Sequence, residues 1–263
     1  MSRLGAACRI PSPRPKKPPQ RPATTWSWTS RRFSGEFGQA VLALTLELNG
    51  GGRAEVRVSD RRDGDFADCS VEQQASLAEG TWTKLRQQHS ARVVTVTAPG
   101  DADGSAADAA VTATPGAVLT VRTADCAPVA LVAAEGVVAV AHAGWRGLAA
   151  GVLEQAAAAV RRLGGRQLSA YVGPCIGPEC YEFGQEPLGD MVERFGPQVA
   201  ARTAWGTPAL DIPAAVRTEL ARSGVGHLTE AGRCTSCEPE LWYSHRARGE
   251  TERHVLAAWI SAS

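Results

Sequence analysis

The stretch Val129-Ala-Leu-Val-Ala133, followed after two residues by Gly136-Val-Val-Ala-Val-Ala141, contains two runs of small and β-branched apolar residues. Runs that are this short and lack polar alternation are typical of strands that are buried on both faces. Two similar runs precede them, Ala91-Arg-Val-Val-Thr-Val-Thr97 and Ala117-Val-Leu-Thr-Val-Arg122. The sequence therefore predicts a core built around buried β-strands.

The segments that follow alternate between helical and strand patterns. Apolar residues recur at helical spacing from Gly147 to Leu163, where Gly164-Gly165 provides a stop, and Leu168-Ser-Ala-Tyr-Val172 is again strand-like. Further helices are predicted over residues 185 to 201 and 212 to 223, and a last strand over His254 to Ile260. No linker-like composition interrupts residues 51–263, so we expect a single mixed α/β domain there.

The first 50 residues differ in composition from the rest. They carry eight basic and two acidic side chains and include the proline-rich run Arg9-Ile-Pro-Ser-Pro-Arg-Pro-Lys-Lys-Pro-Pro-Gln-Arg-Pro22. We predict a disordered basic tail over residues 1–50. Ser30-Arg-Arg-Phe33 before Ala40-Val-Leu-Ala-Leu44 resembles a twin-arginine export signal, but the apolar run is short and is interrupted by Glu47.

Charge and cysteine content limit the class of protein. The net charge of +1 predicts no general attraction to nucleic acid or anionic membranes, and no apolar run reaches the roughly 20 residues of a membrane span. Seven cysteines without a credible signal peptide predict reduced thiols in a soluble, cytoplasmic protein. These thiols are therefore expected to serve chemistry or metal binding rather than disulfides.

Three side chains of metal-ligand type lie near predicted strand ends. His89 precedes the strand that starts at Ala91, Cys126 follows the strand that ends near Arg122, and His142 ends the next strand but one. One thiolate and two imidazoles form a zinc-ligand set that leaves a fourth tetrahedral position for water or substrate. The alternative is a buried cysteine with two ordinary polar histidines.

The residues after His142 suit anion binding. Gly144 permits a sharp turn, Trp145 offers a stacking face, and Arg146 offers a planar guanidinium close to the start of the predicted helix. The alternative is that Arg146 is a solvated charge and Trp145 a core residue.

Several motifs occur together in an order that is specific to one family. They are Gln88-His89, Asp108-Ala-Ala-Val-Thr112, Thr123-Ala-Asp-Cys-Ala-Pro-Val129, His142-Ala-Gly-Trp-Arg-Gly147, Gly173-Pro-Cys-Ile-Gly-Pro-Glu-Cys-Tyr-Glu182, and Cys234-Thr-Ser-Cys237 with Trp242-Tyr-Ser-His-Arg246. On these residues the chain resembles the laccase-domain family over about residues 55 to 260. Members of that family have been called multicopper polyphenol oxidases, purine nucleoside phosphorylases and peptidoglycan editing factors.

The resemblance implies a layered α/β/β/α fold and a zinc site formed by His89, Cys126 and His142. It implies phosphorolysis of adenosine, guanosine or inosine, with adenosine deamination as a second activity. Cys126 and His142 would then be catalytic as well as ligands, Arg146 would hold phosphate, and Trp145 would contact substrate. The turn Gly173-Pro-Cys175 would line the mouth of the site, with Cys175 contacting substrate; the alternative is that Gly173 and Pro174 only shape a turn. Asp125 would be the nearest acid or base, or would orient a ligand or the backbone turn.

Other activities remain as alternatives. Cys126 activated by His142 would make a cysteine hydrolase, for instance one that edits peptidoglycan precursors, and a binding protein without turnover is a third class. Laccase-like polyphenol oxidation would require copper at the site, but the chain has only five histidines and no His-x-His pair. The oligomeric state is not predicted.

Some positions depart from the family pattern or allow a second assignment. Ser90, Glu252-Arg253 and Asp65-Phe-Ala-Asp-Cys-Ser70 replace the usual residues, so we expect substrate contacts near residues 60 to 75 and 250 to 253 to differ from those of the family. A four-cysteine zinc knot is a further hypothesis, with free thiols near a pocket wall as its alternative. Its members would be Cys175, Cys180, Cys234 and Cys237.

Overall fold

The computed structural model describes residues 29–33 and 40–261. Its strands are β1 (Thr29–Phe33), β2 (Ala40–Glu47), β3 (Arg53–Val58), β4 (Thr81–Lys84), β5 (Val93–Val96), β6 (Ala109–Thr112), β7 (Ala117–Thr123), β8 (Ala127–Ala133), β9 (Val137–Ala143), β10 (Leu168–Val172), β11 (Ala200–Arg202), β12 (Pro208–Leu210), β13 (His227–Glu230) and β14 (His254–Ser261). Its α-helices are α1 (Val71–Leu77), α2 (Trp145–Ala150), α3 (Val152–Arg162), α4 (Gln185–Phe195), α5 (Ile212–Arg222) and α6 (His245–Arg248).

Two six-stranded mixed sheets dominate the architecture. The first sheet has the order β1-β2-β3-β14-β7-β4, and the second sheet has the order β13-β10-β8-β9-β6-β5. Most neighbours are antiparallel, whereas β4 with β7, β5 with β6 and β10 with β13 are parallel. The strands β11 and β12 form a separate antiparallel pair.

The two sheets pack face to face, and helices cover their outer faces. Alternate residues of β8 show this arrangement, because Val129 and Leu131 pack against the helices, whereas Ala130 and Val132 pack against the first sheet. Every residue of β8 and of β9 is buried. The apolar runs that predicted buried strands are thus explained by a sheet that lies between two other layers.

The opposite face of the first sheet is covered by the segment that contains α1. Phe66 and Leu77 pack there against Trp82, Val118 and Trp259. The order of layers is therefore α/β/β/α, which confirms the mixed α/β fold expected from the sequence. No helix in the described ranges is long and apolar enough to cross a membrane.

Two predicted helices differ from the structure in their limits. The helix expected from Gly147 to Leu163 begins earlier, at Trp145, and is divided into α2 and α3 by Gly151, whose φ of 89° lies in the left-handed region. The helix expected over residues 185 to 201 ends at Phe195, because Gly196 and Pro197 follow and start a 3-10 turn.

The boundary of the N-terminal tail also differs from the prediction at residue 50. Residues Ala40–Glu47 form β2 in antiparallel pairing with β3, and Leu44 and Leu46 are buried between the sheets. Their apolar alternation supplies a strand that covers the core, which overrides the basic composition of the flanking sequence. The proline-rich run that motivated the tail prediction lies outside the described residues.

Candidate metal centre

Strand pairing places Cys126 beside His142. Cys126 lies directly before β8, at the point where the chain leaves β7 of the first sheet and enters the second sheet. The strands β8 and β9 are antiparallel, with Ala127 opposite Ala143 and Pro128 opposite His142. The start of β8 and the end of β9 therefore lie at one edge, which brings together two residues 16 positions apart in sequence.

His89 reaches the same edge from the loop between β4 and β5. Its φ of 56° lies in the left-handed region, which is uncommon for a residue with a side chain. The fully buried Asp108 holds this loop: its carboxylate accepts hydrogen bonds from the backbone N–H groups of Gln88 (3.1 Å), His89 (2.9 Å) and Ser90 (2.7 Å). The unusual backbone conformation is thus stabilised by a buried anion.

The three predicted ligands converge. The Sγ atom of Cys126 lies 3.7 Å from Nε2 of His89, and the rings of His89 and His142 are 4.8 Å apart between centroids, at 65°. One potential ligand atom from each of the three residues lies within 4.8 Å of the others. The structure therefore brings together the ligand set that the sequence predicts.

Gly144 is required by the close approach of these side chains. A Cβ atom at this position would lie 2.7 Å from Cδ2 of His89 and 2.9 Å from Sγ of Cys126. Contacts of this length are shorter than van der Waals separation, so any other residue would displace a ligand.

Asp108 orients His142 as well as the loop. The Nδ1 atom of His142 donates a hydrogen bond of 2.9 Å to Oδ1 of Asp108, and the backbone N–H of His142 donates to the Asp108 carbonyl at 2.7 Å. This bond leaves Nε2 of His142 for a metal, as in many zinc sites whose histidine is held by a carboxylate. Asp108 was not among the predicted site residues; the signal available was an aspartate directly before a buried strand.

The electrostatics of the site favour bound cations. Burial raises the pKa of Asp108, but hydrogen bonds from His142 and Ser90 outweigh it and hold the pKa well below its usual range. Burial likewise raises the pKa of the Cys126 thiol, and the neighbouring His142 and His89 reverse that effect and lower the pKa. The pKa of His142 is lowered by burial and, on balance, raised by Cys126 and Asp108. A thiolate at neutral pH is the form that binds zinc.

The donor set and its exposure suit a catalytic metal site. His142 is buried, Cys126 is half-buried and His89 is exposed, so the cluster opens to solvent on one side. A thiolate and two imidazoles are ligands that zinc prefers, and three protein ligands leave one position open. The residues present thus fit a divalent zinc ion held by His89, Cys126 and His142.

An aromatic and cationic surface follows His142 along the chain. The guanidinium of Arg146 lies over the ring of Trp145, 4.4 Å from its centroid, and Trp145 packs edge-on against Phe183 at 5.3 Å. Arg146 is exposed and makes no salt bridge with any residue that the structure describes. It therefore remains available for an anionic ligand, which distinguishes it from a structurally paired arginine.

A neighbouring cleft of about 600 Å³ contains residues that the sequence analysis did not single out. Phe183, Trp205 and Arg246 line it, and the guanidinium of Arg246 lies 4.7 Å from the ring of Tyr181. Phe183 links this cleft to Trp145. The motifs that contain Tyr181 and Arg246 were visible in the sequence, but no local pattern indicated that their side chains share a cleft.

Asp125 is engaged by the protein itself. Its carboxylate accepts hydrogen bonds from Oγ1 of Thr235 (2.7 Å) and from the backbone N–H of Arg246 (2.6 Å), and only 6% of the residue is exposed. Its φ of 89° is unusual for a residue with a side chain. These contacts support the alternative in which Asp125 orients the turn before Cys126, while its assignment as an acid or base stays a prediction.

The remaining predicted positions lie in different settings. Cys175 is 5% exposed and belongs to the core beneath the helices, and its assignment to substrate contact stays a prediction. Ser90, one of the departures, donates from Oγ to Asp108 at 2.7 Å and so adds a bond to the metal-ligand loop. Asp65 and Arg253, from the other two departures, contact each other through the Arg253 N–H at 2.8 Å.

The chain matches a known family over most of the described region. The family model described as multi-copper polyphenol oxidoreductase laccase matches residues 64–261. This range includes the three candidate metal ligands and every residue that lines the cleft.

Several curated relatives are similar in sequence to this chain. A protein of Xylella fastidiosa (strain Temecula1 / ATCC 700964) is 42% identical over 159 residues, which cover 59% of this chain and 61% of that protein. A Streptomyces coelicolor protein is 40% identical over 67% of this chain and 74% of its own length, and a Deinococcus radiodurans protein is 36% identical over 78% and 82%. All three are named purine nucleoside phosphorylase. The chain thus spans about three fifths of the length of the Xylella relative.

Two solved structures have the same fold. YlmD from Geobacillus stearothermophilus superposes with a TM-score of 0.69 at 26% identity, covering 89% of this chain and 100% of that one. The Neisseria meningitidis protein NMB0706 superposes with a TM-score of 0.67 at 27% identity, covering 84% and 99%.

Proposed function

Because the chain belongs to the multi-copper polyphenol oxidoreductase laccase family, we propose that it is a purine nucleoside phosphorylase that acts at the centre of His89, Cys126 and His142. The observation that carries the proposal is the convergence of these three ligands beside an unpaired arginine and an aromatic surface. Relatives at 36% to 42% identity that bear this name support it.

We assign zinc to the centre because one thiolate and two imidazoles match its preferences, although copper binds similar ligands. When bound, such an ion supplies Lewis-acid polarisation of a substrate oxygen or nitrogen. The protein contributes the geometry: Asp108 fixes the ring of His142 and the backbone of His89, and Gly144 leaves room for the His89 imidazole and the Cys126 thiol.

The surrounding residues provide separate places for the two substrates. The guanidinium of Arg146 suits an inorganic phosphate dianion, since its planar N–H groups match phosphate oxygens. The ring of Trp145 and the neighbouring Phe183 suit a purine base. When both substrates are bound, a phosphate oxygen forms a bond to C1′ of the nucleoside while the C1′–N9 bond breaks. The products are sugar 1-phosphate and a purine that takes up a proton.

Adenosine deamination is the second activity we propose for the site. In that reaction water adds to C6 of the purine and ammonia leaves, so no phosphate is consumed. Because both reactions need the purine against the same aromatic surface, a variant that loses Trp145 should lose both. A variant that loses Arg146 should keep the deamination.

The direct test is phosphate-dependent release of purine base from adenosine, guanosine and inosine by the purified full chain. We expect turnover that requires both phosphate and zinc, about one zinc ion at this centre per chain, and loss of that ion and of turnover in His142→Ala. Turnover that is unchanged in the metal-free protein would overturn the proposal.

A second candidate function is favoured by one specific observation. Cys126, His142 and Asp108 form a connected thiol, imidazole and carboxylate, which is the arrangement of a cysteine hydrolase, for instance one that acts on peptidoglycan precursors. Such an enzyme works without metal and would be inhibited by zinc. Chelation therefore separates the two functions, since it would abolish phosphorolysis and activate the hydrolase.

Copper oxidase activity fits the chain less well. A multicopper centre requires many imidazoles, whereas only His89 and His142 belong to the cluster, and His254 is buried against Trp242 and Tyr243. The six cysteines in the described residues are all unpaired, and on that ground we propose that the protein works in a reducing, cytoplasmic environment.

A further inference from the structure

A second group of metal-ligand side chains lies in the loops that follow β10 and β13. Three thiols and one carboxylate converge there, with one potential ligand atom of each within 4.8 Å of the others. They belong to Glu179, Cys180, Cys234 and Cys237. The Sγ atoms of Cys180 and Cys237 are 3.3 Å apart, and the Cys237 thiol lies 3.4 Å from Oε1 of Glu179.

The fold brings these residues together from distant parts of the sequence. Because β10 and β13 are parallel neighbours, the loops after them leave the second sheet at the same edge. Glu179 and Cys180 lie in the 3-10 turn Pro178–Cys180, and Cys234 and Cys237 lie in the other loop. Backbone hydrogen bonds fix the two loops side by side: Cys175 N–H to the Arg233 carbonyl and Thr235 N–H to the Cys175 carbonyl, both 3.2 Å.

The ligand set differs from the four-cysteine knot considered from the sequence. Cys175 lies beside Cys234 in the backbone pairing, yet its side chain is part of the core beneath the helices. Glu179 takes the fourth position instead. Three of the four cysteines in that hypothesis, Cys180, Cys234 and Cys237, thus belong to this cluster, whereas Cys175 does not.

Two local features at Gly177 favour cation binding by this cluster. The backbone N–H of Gly177 donates to Sγ of Cys234 at 3.2 Å, a contact that stabilises a thiolate. A Cβ atom at Gly177 would overlap the carboxylate of Glu179, so only glycine lets this carboxylate fold back toward the thiols. Neither feature is needed for free cysteines at a loop surface.

We propose that Glu179, Cys180, Cys234 and Cys237 hold a second, structural zinc ion. Zinc binds thiolate sulfur at about 2.3 Å, so a tetrahedral site places its sulfur atoms about 3.8 Å apart. The Sγ atoms of Cys180 and Cys237 are 3.3 Å apart, slightly closer than this value. All four potential ligand atoms lie within 4.8 Å of one another, slightly farther than this value. Four protein ligands close the coordination sphere, as in structural rather than catalytic zinc sites.

The second ion would stabilise the first centre through Asp125. Thr235, which lies between Cys234 and Cys237, donates its hydroxyl to Asp125, and the N–H of Ile176 donates to the Asp125 carbonyl at 2.9 Å. Asp125 directly precedes Cys126 and has an unusual backbone conformation that these contacts maintain. Clamping the two loops would therefore fix the turn that presents Cys126.

Zinc content of the full chain tests the proposal independently of any enzymatic activity. We expect two zinc ions per chain in the wild-type protein, one in the Cys180→Ser/Cys237→Ser double variant and one in His142→Ala. Cys69→Ser is the matched control, because Cys69 is an unpaired, half-buried cysteine on the far face of the first sheet, and it should keep two. One ion in the wild type together with none in His142→Ala would overturn the second site.

A second measurement on the wild-type chain does not depend on the folding of a variant. Thiol alkylation followed by peptide mapping, with zinc present and after chelation, should show that zinc protects Cys180, Cys234 and Cys237. Cys69 should react equally in both conditions. The alkylation of Cys126 measures zinc binding at the first centre, separately from the other three cysteines. Equal labelling of the three cysteines with and without zinc, or a Cys180–Cys237 disulfide in the freshly purified protein, would contradict the proposal. Failure of the phosphorylase assay would leave both of these readouts unaffected.

Discussion

The carboxylate of Asp108 binds Nδ1 of His142 at 2.9 Å and, through the same Oδ1 atom, the backbone N–H of His89 at 2.9 Å. One buried anion therefore positions two of the three metal ligands. The N–H of Gln88 and the N–H and hydroxyl of Ser90 donate further hydrogen bonds to the same carboxylate.

Asp108→Asn should weaken zinc binding at the first centre by about 10- to 100-fold. The amide cannot accept from the imidazole and the loop as a carboxylate does, so both ligands lose orientation. Competition with a chromophoric chelator measures the affinity. Asp101→Asn is the control, because Asp101 also accepts hydrogen bonds but is exposed in the loop between β5 and β6. Equal affinity in the two variants would argue against Asp108 as a positioning residue.

Gly144→Ala should impair the same centre by steric displacement. The added methyl group would contact the His89 ring at 2.7 Å and the Cys126 sulfur at 2.9 Å, and a ligand shift of about 1 Å lowers turnover by about 100-fold. Turnover and zinc content are measured in parallel with Gly189→Ala. Apart from the backbone of α4 itself, no atom lies within 4 Å of a Cβ at Gly189, so that control should fold and turn over normally. Full zinc content and turnover in Gly144→Ala would show that the site tolerates the methyl group.

Arg146→Ala should raise the KM for phosphate by about 10- to 100-fold, which corresponds to the loss of a charge-assisted hydrogen bond. The KM for nucleoside should change much less, because the base is expected to contact Trp145. Steady-state kinetics with each substrate varied in turn separates the two constants. Arg162→Ala, at the exposed end of α3, is the matched control. Equal increases in both constants would remove the phosphate assignment.

Glu219→Gln should make the free energy of unfolding of the protein less dependent on pH. Burial raises the pKa of Glu219 in α5 to about 7, and neither the Glu154 N–H nor Arg194 reverses this effect. The pKa of Glu219 is higher in the folded than in the unfolded protein. Its contribution to the free energy of unfolding is therefore most favourable below about pH 4.5 and is lost as the pH rises through about 7.

The variant and wild type should therefore unfold alike near pH 5, and near pH 8 the variant should be more stable by about 1 to 2 kcal/mol. Urea unfolding at both pH values gives the free energies. Glu154→Gln is the control, since the Glu154 side chain is 66% exposed near the same Arg194 and should show no such pH dependence. A variant that is less stable than wild type at pH 8 would contradict the assignment.

Local sequence patterns were sufficient for the central strands, and they placed the three candidate ligands near strand ends. The resemblance to the laccase-domain family was needed to select these three residues as one ligand set. The strand Leu168–Val172 has the predicted limits, and β7 and β8 extend the predicted runs by one and two residues. The strand β9 begins one residue later and ends two residues later than predicted. Their apolar composition reports burial on both faces, which depends little on which strands are neighbours. The short strands β4, β6 and β13 were missed because four residues carry too little periodicity to distinguish a strand from a loop.

The sequence by itself determined that His89, Cys126 and His142 lie at the ends of buried segments and are preceded or followed by turns, because apolar runs and glycines act over a few residues. Only the tertiary structure decided that Asp108 binds two of them, that Arg246 and Phe183 share a cleft, and that Glu179 rather than Cys175 joins the other three cysteines. Those relationships depend on strand order and register between segments up to 64 residues apart. Hydrogen bonds and packing across such distances form only when the whole core assembles, so they leave no periodic signal in the chain.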